Sequence, residues 1–303
     1  MKRDFLAIES LTTDELLALL DRAAKMKADR RPSDVLAGRS IGMIFEKPST
    51  RTRVSFEVGI SELGGHAVVL SSTELQLGRG ETIEDTARVL SRYLHALVVR
   101  TFEQDRLERL ARWGSIPVIN ALSDLMHPCQ ALADLQTIHE HFGTLEGLSL
   151  TYVGDGNNVA HSLMTGCALV GMNITVATPP GYEPISQIVK RAEGIAAGTG
   201  ARVSVTTDAA AAAEGADVLY TDVWASMGQE REAEERKLIF APYQMNAVLV
   251  ARAKPTAIAM HCLPAHRGEE ITDDVIESAQ SVVWDQAENR LHAQKALMEW
   301  LLA

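Results

Sequence analysis

The 303-residue chain is long enough for two α/β domains of ordinary size, and its apolar fraction of 46% supplies a sizeable core. Its net charge of −11 argues against nucleic acid as a partner, so an anionic substrate would need a local cationic pocket. The chain contains no run of about 18 uncharged apolar residues, and acidic residues follow Met1 too early for a signal peptide. The three cysteines lack pairing arithmetic or metal-ligand spacing. We therefore expect a cytoplasmic protein that does not bind membranes.

The first half of the chain alternates predicted helices and strands. Thr12 and Glu15 form a capping box that opens a helix. Pro48 disfavours helix at the residue before it, so the next helix begins within the Ser-Thr-Arg-Thr-Arg run at 49–53. Further helices are predicted at residues 83–93, 107–113 and 128–143. Strands are predicted at residues 41–45, 67–70, 96–99 and 117–120.

Residues 143–147 are predicted to be a seam between two domains, because a new series of strands and helices begins after them. In this second half, helices are predicted at residues 158–171, 185–196 and 209–213, and a last helix runs through 291–301. Strands are predicted at residues 148–153, 173–177, 203–206, 218–221, 257–260 and 281–284. The alternation predicts an α/β fold with two doubly wound parallel sheets.

The run at 49–53 places hydroxyl and guanidinium groups at a helix N-terminus. Backbone N–H groups without helical partners attract anions there, and Arg51 and Arg53 add planar forks that suit phosphate oxygens. A simple N-cap with two solvated arginines would account for Ser49 alone. The cluster as a whole favours anion binding.

Polar residues follow the carboxyl ends of five predicted strands. Ligands of open α/β sheets bind at such ends, where the strand order reverses. The residues in question are Arg100, His127, Asn158, Asp222 and Cys262.

Three of these residues have a structural alternative. His127 precedes a helix N-terminus, whose dipole disfavours imidazolium, so a neutral ring could polarise a carbonyl; a buried structural histidine is the alternative. Cys262 follows His261 in a strand and points to the opposite face, which favours substrate binding or an inert thiol over a nucleophile. Asp222 either caps a turn or, in a pocket rich in arginine, holds a substrate ammonium group.

The segment Gly-Asp-Gly-Asn-Asn at 154–158 is similar to the start of a dinucleotide-binding loop. The third glycine of that loop is replaced by Val159, and the next strand ends in Thr-Pro-Pro at 178–180 without an acidic residue for a ribose. A phosphate-binding Walker A loop is also absent from the sequence. An NAD-dependent dehydrogenase is therefore disfavoured, and no cofactor is expected.

Five motifs occur in order over nearly the whole chain. They are Ser-Thr-Arg-Thr-Arg-Val-Ser-Phe-Glu from Ser49, His-Pro-Cys-Gln from His127, Asp-Val-Trp-Ala-Ser-Met-Gly from Asp222, His-Cys-Leu-Pro from His261 and Glu-Asn-Arg-Leu-His from Glu288. Together they resemble the aspartate/ornithine carbamoyltransferase family, and the third and fourth resemble its ornithine-using branch. The resemblance implies a carbamoyl phosphate domain at 1–143 and an ornithine domain at 147–287. It also implies that the last helix, 288–303, returns to the first domain.

The same resemblance implies roles for individual residues. Carbamoyl phosphate would be bound by Ser49, Thr50, Arg51, Thr52, Arg100, His127, Pro128, Cys129, Gln130 and Cys262, with Leu263 and Arg290 completing the pocket from the other domain. Ornithine would be bound by Asn158 at its α-carboxylate and by Asp222, Ser226 and Met227 at its α-amino end. The residues expected to take part in catalysis are Arg51, Arg100, His127, Asp222 and Cys262. Gln76 would reach the carbamoyl phosphate of a neighbouring subunit, which implies a homotrimer with shared sites.

The activity that the resemblance implies is transfer of the carbamoyl group from carbamoyl phosphate to the δ-amine of L-ornithine, in arginine metabolism. No metal is expected, because guanidinium groups carry the positive charge. Domain closure would bring the reactants together and exclude water. Putrescine or an N-acylated ornithine remains an alternative acceptor, and an inactive anion-binding regulator is a less favoured alternative.

Overall fold

The computed structural model describes residues 2–71, 80–225 and 232–302. The chain divides into two compact units, Met1–Gln136 with Asn289–Ala303 and Thr137–Glu288. Both boundaries fall inside helices, one in α5 (Pro128–Phe142) and one in α12 (Val283–Leu302). The predicted seam at 143–147 follows directly on α5. The first unit is therefore assembled from both parts of the chain that flank the second.

The first unit contains a parallel sheet. Among its described residues, the strands are β1 (Ser40–Phe45), β2 (His66–Ser71), β3 (Ala96–Arg100) and β4 (Val118–Leu122), in the order β2-β1-β3-β4. All residues of β3 and β4 are buried, as expected for parallel strands covered on both faces. The strand order reverses between β1 and β3, which places the carboxyl ends of these two strands side by side.

Helices flank this sheet, and the first of them begins at the predicted capping box. Thr12 and Glu15 form the capping box of α1 (Thr13–Ala28), which buries an apolar stripe that includes Leu16 and Leu20. The helices that follow strands β1, β2, β3 and β4 are α2 (Thr50–Glu62), α3 (Ile83–Tyr93), α4 (Gln104–Trp113) and α5.

The end of α12 packs against α1 and α2, as the resemblance implied. Lys295 is 2% exposed, and its Nζ lies 2.8 Å from Glu62 Oε2 on α2. On the surface, Arg22 Nε of α1 donates to Glu299 Oε1 at 2.7 Å. A partly buried ion pair therefore connects the last helix to the helix that begins at the Ser-Thr-Arg-Thr-Arg run.

The second unit contains its own parallel sheet. Among its described residues, the strands are β5 (Ser149–Val153), β6 (Asn173–Ala177), β7 (Val203–Thr206), β8 (Val218–Thr221) and β9 (Ile258–His261), in the order β7-β6-β5-β8-β9. The order reverses between β5 and β8. Their carboxyl ends are therefore the expected ligand-binding edge of this unit.

The described helices of the second unit vary in length and burial. The central one is α6 (Asn158–Leu169), which is buried at every residue from 159 to 169. The others are α7 (Ser186–Thr199), α8 (Ala209–Ala213), α9 (Ala233–Phe240), α10 (Ala247–Val250) and α11 (Asp273–Ile276). Within the described ranges, no helix is both long and apolar enough to cross a membrane.

The strand predicted at residues 281–284 is wrong. Helix α12 already begins at Val283, and Ser281 makes only an isolated parallel bridge with Ala259. A four-residue apolar run has the same periodicity in a strand as in the first turn of a buried helix. The polar residues that follow continue the helix without a turn, so residues 283 and 284 are helical.

Candidate active site

The start of α2 has the geometry expected of an anion site. Ser49 is its N-cap, with extended backbone, and its Oγ accepts a hydrogen bond from Thr52 N at 3.2 Å. Thr52 is buried, whereas Thr50 and Arg51 are exposed. Arg53 Nε instead donates to Glu57 Oε1 at 3.1 Å, so it forms an ion pair on the helix surface. Of the two arginines in the run, Arg51 is therefore the better candidate for binding an anion at the helix N-terminus.

A buried guanidinium joins this helix start to the start of α5. Arg290 is 3% exposed, and its Nη2 donates to Thr52 Oγ1 at 3.1 Å. Its Nη1 donates to Gln130 Oε1 at 2.7 Å, and Gln130 Nε2 in turn donates to Asp134 Oδ1 at 2.8 Å. Three residues that lie far apart in sequence therefore meet in one hydrogen-bonded group. Two helix N-termini and a guanidinium give this group the positive potential that a small anion requires.

His127 lies directly before α5 and is buried. Burial lowers the pKa of its imidazole well below the ordinary value, and the positive charges of Arg290 and Arg100 lower it further. The ring is therefore neutral at physiological pH, as predicted. Burial and the two guanidinium groups are causes that the sequence analysis, which considered the helix dipole, did not include.

Cys129 contributes its thiol to the core, not to the anion site. Its Sγ donates to the Asn120 carbonyl oxygen at 3.3 Å, and the side chain is fully buried. Burial raises the pKa of the thiol to about 12. Any contact of Cys129 with a ligand must therefore come from its backbone. Pro128 occupies the first position of α5, where its missing N–H costs nothing.

In the second unit, a carboxylate lies at the point where the strand order reverses. Asp222 follows β8 and is 6% exposed. Its Oδ2 accepts from Asn157 Nδ2 at 2.9 Å, and its Oδ1 accepts from Cys262 Sγ at 2.9 Å. Asn158, the predicted carboxylate ligand, is the first residue of α6. Asp222 and Cys262, which the resemblance assigned to ornithine and to carbamoyl phosphate, are thus in direct contact.

The side-chain amide of Asn157, which contacts this carboxylate, is itself fixed by hydrogen bonds to its oxygen. As the N-cap of α6, its Oδ1 accepts from the backbone N–H groups of Val159 and Ala160 at 2.9 and 3.2 Å. Tyr152 also donates to Oδ1, at 3.3 Å. Burial raises the pKa of this phenol well above its ordinary value, and the nearby Asp222 raises it further, so Tyr152 stays a donor. The amide nitrogen of Asn157 is consequently directed at Asp222.

The segment after β9 is held by a buried imidazole. His261 and Glu270 are both 0% exposed, and His261 Nε2 lies 3.0 Å from Glu270 Oε1. The backbone N–H of Leu263 donates to His261 Nδ1 at 2.8 Å, so the proton of the ring is on Nε2. Leu263 has a φ of 58°, in the left-handed region that a non-glycine residue rarely adopts. The ring of His261 thus serves the backbone and not the thiol of Cys262.

Two groups of side chains in the described residues have the composition of a metal site. In each group the possible ligand atoms lie within 4.8 Å of one another. The groups are Asp222, His261 and Cys262, and His266, Glu269 and Glu270. In the first group, every donor side chain already has a hydrogen-bond partner, and these contacts account for the geometry without an ion.

Comparisons with known proteins identify the family of this chain. Family models described as the carbamoyl-P binding domain and the Asp/Orn binding domain of aspartate/ornithine carbamoyltransferase match residues 3–140 and 146–301. The chain belongs to the aspartate/ornithine carbamoyltransferase family. It is 60% identical to the ornithine carbamoyltransferase of Parafrankia sp., covering 99% of this chain and 96% of the relative. The solved structure of an ornithine carbamoyltransferase from Pyrococcus furiosus has a TM-score of 0.95 to this chain, at 55% sequence identity over 98% of this chain and 96% of that one.

Family membership removes the dehydrogenase as a rival. The division into two units corrects one detail of the predicted site. The resemblance implied that Arg290 would come from the other domain. This expectation is wrong, since Arg290 belongs to the first unit together with Thr52 and Gln130. Helix α12 continues past residue 288, and this continuation carries the guanidinium into the first unit. Leu263 and Cys262 belong to the second unit.

Three of the predicted residues lie outside the described part of the chain. They are Gln76, Ser226 and Met227. Sequence reasoning also missed Asn157, the residue that orients Asp222. The sequence does contain a signal for this residue. Asn is a preferred N-cap residue, and Asn157 is the first of two asparagines between a predicted strand and a predicted helix.

Proposed function

We propose that this protein transfers the carbamoyl group of carbamoyl phosphate to the δ-amine of L-ornithine, giving L-citrulline and phosphate in arginine biosynthesis. The observation that carries the proposal is the buried guanidinium of Arg290, which joins the starts of α2 and α5. It supplies a small-anion site in a chain whose net charge is −11. A relative from Pyrococcus furiosus that is 56% identical over 98% of this chain is named an anabolic ornithine carbamoyltransferase.

In this proposal the first unit binds carbamoyl phosphate. The phosphate oxygens accept from the N-terminal residues of α2 and from two arginines, and the residues concerned are Ser49, Thr50, Arg51, Thr52 and Arg100. Gln130 and the neutral His127 bind the carbamoyl amide and oxygen. Arg290 supports them through Thr52 and Gln130. The family pattern adds Leu263 and Cys262 to the residues that bind carbamoyl phosphate.

The second unit binds ornithine. Asp222 is a buried carboxylate whose two oxygens already have fixed donors, and it provides the negative charge that an α-ammonium group requires. Asn158 binds the α-carboxylate, and Ser226 and Met227 are assigned to the α-amino end by the family pattern. Cys262 lies beside the substrate side chain. Asp222 thus recognises the ammonium group, and Asn158 selects an amino acid over a simple diamine.

The chemistry needs no redox step. The lone pair of the neutral δ-amine attacks the carbamoyl carbon, and negative charge builds on the carbamoyl oxygen. The bond from carbon to the phosphate oxygen then breaks, phosphate leaves, and the nitrogen loses a proton. Arg51, Thr52 and His127 stabilise the oxyanion, an effect of about 10²–10³ in rate per donor. A neutral His127 donates this bond without repelling the adjacent arginines.

We also propose that the protein assembles as a homotrimer in which Gln76 of one subunit reaches the carbamoyl phosphate of its neighbour. The support is the family pattern alone, because Gln76 lies outside the described residues. A three-fold ring is closed by one repeated heterologous contact, which allows each site to borrow one loop.

The proposal is tested by measuring carbamoyl transfer from carbamoyl phosphate to a panel of amines. The panel contains L-ornithine, putrescine, N-acetylornithine and L-aspartate, and product is measured as the ureido compound and as released phosphate. We expect ornithine to exceed putrescine by well over tenfold in kcat/KM, because putrescine lacks the α-carboxylate and leaves its partly buried polar partner unpaired, at a cost of about 1–3 kcal/mol. Equal rates with ornithine and putrescine would contradict the assignment of Asn158 to the α-carboxylate, and no transfer to any amine would contradict the function.

A further inference from the structure

Arg236 lies on α9 and is 6% exposed, with three polar partners in the second unit. Its Nη1 donates to Asp155 Oδ2 at 3.0 Å and to the Trp224 carbonyl oxygen at 2.8 Å. Its Nε donates to Glu232 Oε2 at 3.2 Å. The guanidinium carbon also lies 4.8 Å from the centre of the Tyr182 ring. None of these contacts belongs to the residues proposed to touch a substrate.

The partners of Arg236 lie next to the residues of the ornithine site. Asp155 follows β5 and precedes Asn157 by two residues, and Trp224 follows Asp222 by two residues. One guanidinium therefore bonds to both chain segments that leave the sheet where its order reverses. Those two segments also carry the hydrogen bond between Asn157 and Asp222. The position of Asp222 relative to Asn157 thus depends on a cation that neither residue contacts.

Charge gives Arg236 a second connection to this site. Burial raises the pKa of Asp155 to about 6, Arg236 opposes this shift, and the negative charge of Asp222 adds to it. The carboxylates of Asp155 and Asp222 therefore repel each other. Arg236 offsets the buried charge of Asp155, and its other carboxylate partner, Glu232, is 60% exposed to solvent. Of these three carboxylates, Asp222 is therefore the buried one whose charge is left for a substrate ammonium group.

We propose that Arg236 and Asp155 are a positioning pair that sets the affinity of the Asp222 carboxylate for the α-amino group of the substrate. Arg236 fixes the Trp224 carbonyl and thereby the chain that carries Asp222. It also neutralises Asp155, so that Asp222 presents the net charge of the site. This inference rests on the proposed function, because it takes an amino acid with a free α-ammonium group as the ligand.

The test compares the KM values for ornithine and for carbamoyl phosphate in three variants of the full-length protein. Arg236→Met removes the charge and every hydrogen bond, and it should raise the KM for ornithine about tenfold or more, since tenfold corresponds to one charge-assisted bond. Asp155→Asn keeps an acceptor for Arg236 but removes one negative charge, and the KM for ornithine should rise about fivefold. Arg236→Lys keeps the charge and should restore part of the loss. The KM for carbamoyl phosphate should stay within about twofold in all three.

Lys237→Met is the matched control, because it removes a cation from the next residue of the same helix. Lys237 is only paired on the surface, with Glu234 at 3.0 Å and Glu269 at 3.1 Å, so both KM values should be unchanged. If Arg236 had only a structural role, its loss would lower kcat through a smaller folded fraction and leave the KM for ornithine unchanged. That result in Arg236→Met and in Asp155→Asn would overturn the inference.

The two proposals fail in distinguishable ways. A wild-type protein that forms no citrulline from ornithine contradicts the proposed function. A wild-type protein that forms citrulline, together with unchanged ornithine KM values in the variants, contradicts only the positioning pair. If Arg236→Met does not fold, Asp155→Asn and Arg236→Lys decide the question, because both keep a polar side chain in the buried site.

Discussion

At the scale of single residues, the anion site combines one neutral ring with several permanent cations. His127 is kept neutral by burial and by the charges of Arg290 and Arg100. A protonated ring would add a third positive charge to a buried site and would have to lose its hydration. Uptake of a proton at His127 is therefore coupled to unfolding of the first unit.

His127→Asn should make stability less sensitive to acid. Below the ordinary histidine pKa of 6.5, the unfolded chain binds a proton at this residue that the folded chain does not. The free energy of unfolding therefore falls as pH decreases, by up to about 1.4 kcal/mol per pH unit from this residue alone. Urea unfolding of both proteins from about pH 8 to about pH 5 measures the slope. Equal slopes for wild type and variant would show that His127 is protonated in the folded state.

Arg51 and Arg53 form a matched pair for testing the phosphate site. Both are exposed near the start of α2, but Arg53 is paired with Glu57. Arg51→Ala should lower kcat by about 10² or more with little change in stability, because it removes charge-assisted contacts to the phosphate and the oxyanion. Arg53→Ala should keep kcat within about fivefold of wild type. Steady-state kinetics with thermal melts checks both, and equal losses in the two variants would remove Arg51 from its assigned role.

At the scale of elements, the turn between β5 and α6 must fit closely against the chain near Pro184. A Cβ added at Gly156 would lie 2.3 Å from Pro184 N and 2.5 Å from the Glu183 carbonyl carbon. These are backbone atoms, so they cannot rotate away as a side chain would. Because Gly156 immediately precedes Asn157, a shift of this turn also moves the N-cap of α6.

Gly156→Ala should therefore destabilise the protein by about 1–3 kcal/mol, as overpacking in a filled region does. It should also raise the KM for ornithine, because Asn157 directs its amide at Asp222. Gly194→Ala is the control, since a Cβ there meets nothing within 4 Å in the middle of α7. That change should instead stabilise the protein by about 0.5–1 kcal/mol. Denaturant unfolding of the two variants measures both effects, and equal stabilities would show that the turn adjusts without cost.

Local sequence signals located most elements, because their causes are local. Pro48 and Ser49 define the start of α2 through backbone geometry and capping, and both can be read from neighbouring residues. The segment at 281–284 could not be assigned in this way, because its helical state depends on the length of α12 and on its packing. Asn157 and Arg290 show the same limit at the site. Their partners Asp222 and Thr52 are 65 and 238 residues away in sequence, and nothing local indicates those pairings.

At the scale of the whole molecule, the proposed trimer makes a prediction about mixed assemblies. Subunits with Gln76→Ala and subunits with Arg51→Ala should each have low activity, because every site in either parent carries one lesion. After subunit exchange, some sites would combine an intact loop with an intact phosphate residue, so hybrids should regain part of the wild-type rate. The measurement is citrulline formation after verified exchange. Hybrids no more active than the average of the parents would show that Gln76 serves its own subunit.

The division of the chain into units also affects the order in which the two units can be completed during synthesis. Residues 289–302 belong to the first unit, yet the ribosome makes them after the whole of the second unit. Until they emerge, Thr52 and Gln130 lack Arg290, and Glu62 lacks Lys295. Domains generally fold as units during translation, so we expect the second unit to be complete while the first still waits for its last helix. A nascent chain that stalls before residue 289 would therefore carry the proposed ornithine site but lack Arg290 and Lys295, and we expect it not to bind carbamoyl phosphate.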